Sequence, residues 1–194
     1  MIKHQKQVFI WRNETFADPY KAIEAIFDFT DVFVYKKLVR DIALYSGKKK
    51  KYKKTHAGNL IWKLEAISCM LNACFAINKE KKFCPLDILA SDVMNEKFYS
   101  RYEDKSHIWS DFPRLLSAEE FINPYKALGK IFSHTNPEQY HQRFKALIGY
   151  ACGSYNDHFS GNIMDIYFQL TKLFEAAHLI YIREIIYVRN WRKL

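Results

Sequence analysis

The chain has 194 residues, 49% of them hydrophobic, with 15 Phe, 13 Tyr and a formal net charge of +9. That length can bury a substantial core, and the apolar content excludes a disordered chain. Six Gly and five Pro are few for an all-β chain built on tight turns, so the composition leans towards helix.

The first six residues, MIKHQK, have no apolar segment behind them, so no secretory signal is expected. No uninterrupted apolar run approaches the roughly 18 residues of a membrane span. The longest candidate, 176–188, is broken by His178, Arg183 and Glu184. These readings predict a cytoplasmic protein with no transmembrane segment.

The first predicted helix starts at Asp18, whose side chain suits an N-cap, with Pro19 in the first helical position. Tyr20, Ile23 and Phe27 follow at helical spacing. Thr30-Asp31 marks a second start, and that helix runs to about Tyr45 with Gly47 as its cap. A lysine-rich loop, KKKKYKK at 48–54, comes next. The third helix carries one apolar stripe of Leu60, Leu64, Ile67, Leu71 and Cys74. Residues 84–116 read as an irregular bridge, with a short helix suggested by Pro85, Leu86 and Asp87 before Ile88, Leu89 and Val93.

Beyond the bridge, Ser117 and Glu120 have the spacing of a capping box. Asn123-Pro124 then opens a helix with Tyr125, Leu128 and Phe132 on one face. Thr135-Asn136-Pro137 opens another, ending near Ala151 with Gly153 beyond it. The last helix bears Ile163, Tyr167, Leu170, Phe174 and Ala177, and should extend to about Arg189.

These elements repeat. FADPYKAIEAIF at 16–27 matches FINPYKALGKIF at 121–132 at an offset of 105, and the register holds through Tyr35/Tyr140 and Tyr45/Tyr150. It resumes at an offset of 103, where GNLI at 58–61 matches GNIM at 161–164. A three-helix unit this small cannot bury its own apolar positions. The expected fold is therefore all-α, an internally duplicated three-helix unit closing into a compact pseudo-two-fold helical bundle. Its parts are a first repeat at 1–83, the bridge at 84–116 and a second repeat at 117–194.

Pro113-Arg114-Leu115-Leu116-Ser117, Asn123-Pro124-Tyr125 and Glu175-Ala176-Ala177-His178-Leu179 resemble recurring phrases of a family of uncharacterised bacterial all-helical proteins. The resemblance covers mostly the second half. It implies a helical fold and no particular activity.

Four cysteines, Cys69, Cys74, Cys84 and Cys152, form no C-x-x-C and read as small hydrophobes in a reducing compartment. The loudest chemical feature is the lysine loop. Lys48, Lys49, Lys50, Lys51, Lys53 and Lys54 carry six of the net positive charges, so the rest of the chain is only weakly basic. The matching loop of the second copy, GSYNDHFS at 153–160, has no lysine, so connecting two helices does not require them. Such a loop would contact phosphates or acidic headgroups. Lys36, Lys37 and Arg40 would enlarge the patch, and Arg183, Arg189, Arg192 and Lys193 with Tyr187 and Trp191 would form a second strip. The bland alternative is a solvated connection.

Two Glu-x-x-His pairs, Glu138/His141 and Glu175/His178, have the spacing of a di-iron bundle, with Glu24 and Glu65 as further carboxylates. They fall on consecutive helices instead of alternate ones, and neither survives in the first copy. No metal and no cofactor is therefore expected. Arg101 and His107 resemble the spacing in helical ribonucleases of the HEPN type, but they sit in the bridge and not at the start of a bundle helix. His178 reads as a buried core histidine. Tyr20 and Tyr125 recur in both copies, and with His178 would line a pocket between the halves. No glycine-rich nucleotide loop is present. The sequence thus favours a non-enzymatic helical module that binds a protein or other macromolecule. A nucleic-acid binder using the lysine loop is the alternative, and a helical-bundle enzyme or metal site comes third.

Overall fold

The computed structural model describes residues 8–11, 14–48, 50–80, 88–101, 109–155 and 159–187. The described chain opens with a strand pair that the sequence did not announce. β1 (Phe9–Trp11) runs antiparallel to β2 (Glu14–Phe16), with Phe9 opposite Phe16. Alternation turns Phe9 and Trp11 into the core and leaves Ile10 outside. Four apolar residues in a row are too few to separate this pattern from a helical one.

Among the described residues, every element after the hairpin is helical. α1 (Pro19–Phe29) starts where the Asp18 side chain accepts from the Tyr20 N–H, with Pro19 in the first turn. α2 (Val32–Ser46) stops at Gly47, and α3 (Ala57–Glu80) is the longest element. The described bridge forms two 3₁₀ turns, Ala90–Asp92 and Glu96–Phe98, and is helical again at 109–111. Residues 85–87, where a short helix is expected, lie outside the described residues. α4 (Ala118–Ile122) carries the reciprocal Ser117/Glu120 capping box. α5 (Pro124–Ile131) is capped by Asn123, as α1 is by Asp18. α6 (Pro137–Cys152) starts with a capping box from Asn136 and ends at Gly153, in the left-handed region at φ 77°. α7 (Ile163–Ile180) continues through Tyr181–Tyr187 as a π-helical stretch, and residues 188–194 lie outside the description.

One hydrophobic core draws on both halves of the chain. Phe27, Tyr35, Ile42, Met70, Leu128, Leu147 and Phe174 all belong to it. α2 packs on α6 and α7, α1 on α3, and α5 on α7. A smaller cluster of Ile88, Tyr99, Phe121 and Leu179 seats the bridge against α4 and α7.

Arg183 locks that seat. It is buried, and its guanidinium donates to the carbonyls of Phe98 at 2.9 Å and Phe121 at 2.5 Å. It also lies over the Phe121 ring at 4.6 Å. Burial lowers its pKa to about 10, against the opposing charge of Glu184. The expected basic strip at the C-terminus is therefore corrected at Arg183, because this side chain faces backbone carbonyls and not solvent. Arg189, Arg192 and Lys193 lie outside the described residues.

α3 is long and apolar enough to cross a membrane by length and composition, with a mean hydropathy of 1.5 over its best window. Half of that window is buried inside the fold, as expected for a core helix. The count of unbroken apolar runs passed over it because Lys63 and Glu65 interrupt its first turns. Cys69 and Cys74 are buried in its packed face, and burial pushes the Cys69 thiol up to about 11. Both behave as hydrophobes.

Candidate functional site

The lysine loop is anchored to the helices beside it. The Tyr52 N–H donates to the Ala151 carbonyl at 2.7 Å, which ties the loop to the end of α6. The Tyr52 ring meets Tyr45 edge-on at 5.5 Å. Lys54 pairs with buried Asp41 at 3.1 Å and lies 5.4 Å from the Tyr45 ring centre. Lys48 sits 5.7 Å from the same ring. The Lys51 stem runs across Gly153, where a Cβ would come within 2.4 Å of it. Lys50 and Lys53 are exposed, and Lys49 lies outside the described residues. Lys54, Lys48 and Lys51 thus already have local partners or packing surfaces.

The outer face of α2 is arranged differently. Phe33, Lys36, Lys37 and Arg40 follow the i, i+3, i+4, i+7 spacing of one helical stripe. Phe33, Lys37 and Arg40 are exposed. Two residues of the stripe, Phe33 and Lys37, form a wall shared by two open pockets. One, of 490 Å³, lies on the loop side and is lined by Phe33, Lys37, Asp41, Tyr52, Lys54 and Lys63, among others. The other, of 330 Å³, lies between α2, the 109–115 segment and α7. Phe33, Lys36, Lys37, Arg40, Trp109, Arg114, Tyr167, Thr171 and Glu175 contribute to it.

Each pocket contains one carboxylate, and each carboxylate is held from within. Asp41 takes Lys54. Glu175, only 1% exposed, accepts from the Lys36 Nζ at 3.1 Å and from the backbone N–H groups of Arg114 at 3.0 Å and Leu115 at 2.8 Å. Lys36 also donates to the Phe112 carbonyl at 3.4 Å. Lys36 and Glu175 therefore position the 109–115 segment. Lys37, Arg40 and Lys63 have no carboxylate partner among the described residues, and Arg114 reaches only the Trp109 carbonyl, at 3.4 Å. The outcome is a cationic face with exposed aromatic side chains, whose carboxylates are already occupied.

The other residues singled out by sequence go elsewhere. The Tyr20 and Tyr125 hydroxyls meet at 3.4 Å. Burial, more than any neighbouring charge, raises the Tyr20 pKa to about 12 and lifts that of Tyr125 still further. Both are neutral packing groups at physiological pH. His178, on α7, meets α1 two turns beyond Tyr20, edge-on to Phe27 at 5.2 Å and beside Tyr181 at 6.1 Å. Burial, then the charges of Lys36 and Arg101, push its pKa down to about 3. It has no capacity to accept a proton near neutral pH. The described structure thus gathers Tyr20 with Tyr125, and gives His178 a separate aromatic surrounding.

Arg101 acts as a clip. It donates to the Phe27 carbonyl and to the Tyr181 hydroxyl at 3.0 Å, and approaches Asp28 and Asp31. Its spacing partner in the sequence, His107, lies outside the described residues. Among the described residues, no three His, Cys, Asp or Glu side chains converge as a metal ion would need. Glu138 is exposed and takes Gln142, while Glu175 is committed to Lys36.

Sequence reasoning placed Lys36, Lys37 and Arg40 next to the loop, and the structure keeps them on one face. Sequence reasoning did not join them to Trp109, Arg114, Tyr167 or Thr171, which come from far along the chain. No family model, curated protein or solved structure matches the chain.

Proposed function

We propose that this protein is a non-enzymatic helical module that binds nucleic acid through the outer face of α2. The observation that carries the reading is the stripe Phe33, Lys37 and Arg40 beside two open pockets whose only carboxylates among the described residues are internally paired. A surface of this kind attracts a polyanion without repelling it, and its aromatics offer planar contacts. Lys63 extends it on one side and Arg114 on the other. The phosphate contacts are assigned to this face first and to the lysine loop second.

The same proposal includes an internal duplication about a pseudo-two-fold axis. Equivalent residues make equivalent bonds in its support. The Tyr35 hydroxyl donates to the Ile26 carbonyl at 3.3 Å, and Tyr140, 105 residues on, donates to Ile131 at 3.1 Å. Phe27 meets Tyr35 edge-on, as Phe132 meets Tyr140. Tyr20 and Tyr125, also 105 apart, touch each other, as residues beside such an axis would. In the second copy the stripe reads Glu138, His141, Gln142 and Lys145 in place of Phe33, Lys36, Lys37 and Arg40. The α6 helix folds without an aromatic and cationic face, so packing does not demand one on α2.

Direct binding tests the reading. A fluorescent single-stranded 20-mer should bind at low salt and weaken steeply as salt rises, because bound counterions are released. Absence of binding at low salt would overturn it and return the search to protein partners.

A further inference from the structure

Resting on that reading, we infer that the pocket between α2, the 109–115 segment and α7 holds one unpaired nucleotide of a single strand, its base against Trp109 and its phosphate between Arg40 and Arg114. Three observations converge on it. Trp109 is 59% exposed at the pocket rim, tilted against Phe112 at 6.0 Å with more than half of the residue open to solvent. Arg40, Lys37 and Arg114 line the same 330 Å³ space, which suits a single nucleoside phosphate in size and charge. Thr171, 4% exposed, lines it too, and its Oγ1 is buried with no hydrogen-bond partner among the described residues. A buried hydroxyl left without a partner is unfavourable unless a ligand atom completes it.

The occupant is a strand, not a free nucleotide, because the pocket does not stand alone. Its Phe33 and Lys37 wall is shared with the second pocket, where Lys63 continues the positive path for neighbouring phosphates. A duplex keeps its bases paired and stacked, so it cannot present one to Trp109.

The test uses the full chain with four probes: a dT 12-mer, an abasic 12-mer of the same phosphate count, a 12-base-pair duplex and thymidine monophosphate. The wild type should prefer the dT 12-mer over the abasic strand and the duplex by roughly tenfold, the effect of one stacked base. Trp109→Ala should erase that preference and leave abasic binding unchanged. The double variant Arg40→Gln, Arg114→Gln should weaken both strands. Trp109 is exposed, so its variant should keep the wild-type melting curve, and that check accompanies the titration. Equal affinity for dT and abasic strands, or an unchanged preference in Trp109→Ala, would overturn the inference while leaving the polyanion face standing. Thymidine monophosphate binding as tightly as the 12-mer would also overturn it, in favour of a free nucleotide. Failure of the wild type to bind any strand would remove the proposed function itself.

Discussion

Single side chains in this protein divide into those that build the core and those the core leaves free. Tyr35 belongs to the first group. Its buried hydroxyl reaches the Ile26 carbonyl, so Tyr35→Phe should cost about 1 kcal/mol in urea unfolding. His178 makes a stronger claim. Its pKa falls from 6.5 to about 3 on folding, so between those values the unfolded chain binds more protons than the native one. The histidine's contribution is fully present above pH 6.5 and is lost as pH falls towards 3. His178→Gln should lower stability at pH 7 yet flatten its decline with acid, and a parallel decline in both proteins would refute the buried neutral state. Lys36 is a structural cation. Lys36→Met leaves the Glu175 carboxylate buried with only backbone donors, and should cost about 3 kcal/mol by thermal or urea unfolding. For that reason Lys36 is unsuitable for a binding-site variant, whereas Lys37 and Arg40 are suitable.

At the scale of elements, the sequence was most legible where backbone chemistry is local. Asp18-Pro19, Asn123-Pro124, Asn136-Pro137 and the Ser117/Glu120 pair all mark observed helix starts. Asp18→Ala should therefore cost about 1 kcal/mol, read from the unfolding midpoint. Gly153 was legible as a stop, and its φ of 77° explains it. Gly153→Ala should cost about 1–2 kcal/mol and displace the Lys51 stem. The strand pair was not legible, because the run at 8–11 is too short for its alternation to register. Of the candidate site, the half on α2 was legible as a helical stripe. The half made by Trp109, Arg114 and Thr171 was not, since only tertiary packing of the bridge onto α7 brings it there. The Lys36–Glu175 pair that makes this join spans 139 residues, and no spacing rule reaches across such a gap.

For the whole molecule, the question is which cations meet a partner. Net charge alone would favour the lysine loop, where the positive charge is densest. The structure separates the charge by its surroundings: Lys54 on Asp41, Lys48 on Tyr45, the Lys51 stem on Gly153, and a second set of cations on the α2 face with no acid among the described residues to hold them. The most direct measurement compares two variants with a single-stranded 20-mer across a salt series. One changes Lys48, Lys49, Lys50, Lys51 and Lys53 to Gln; the other changes Lys37, Arg40, Lys63 and Arg114. If the α2 face makes the contacts, the wild type should show a log–log salt slope near −3, from about −0.7 for each of four contacts. The loop variant should keep most of that slope, although it loses more charge, and the face variant should lose nearly all of it. Binding that survives in the face variant and vanishes in the loop variant would contradict the account.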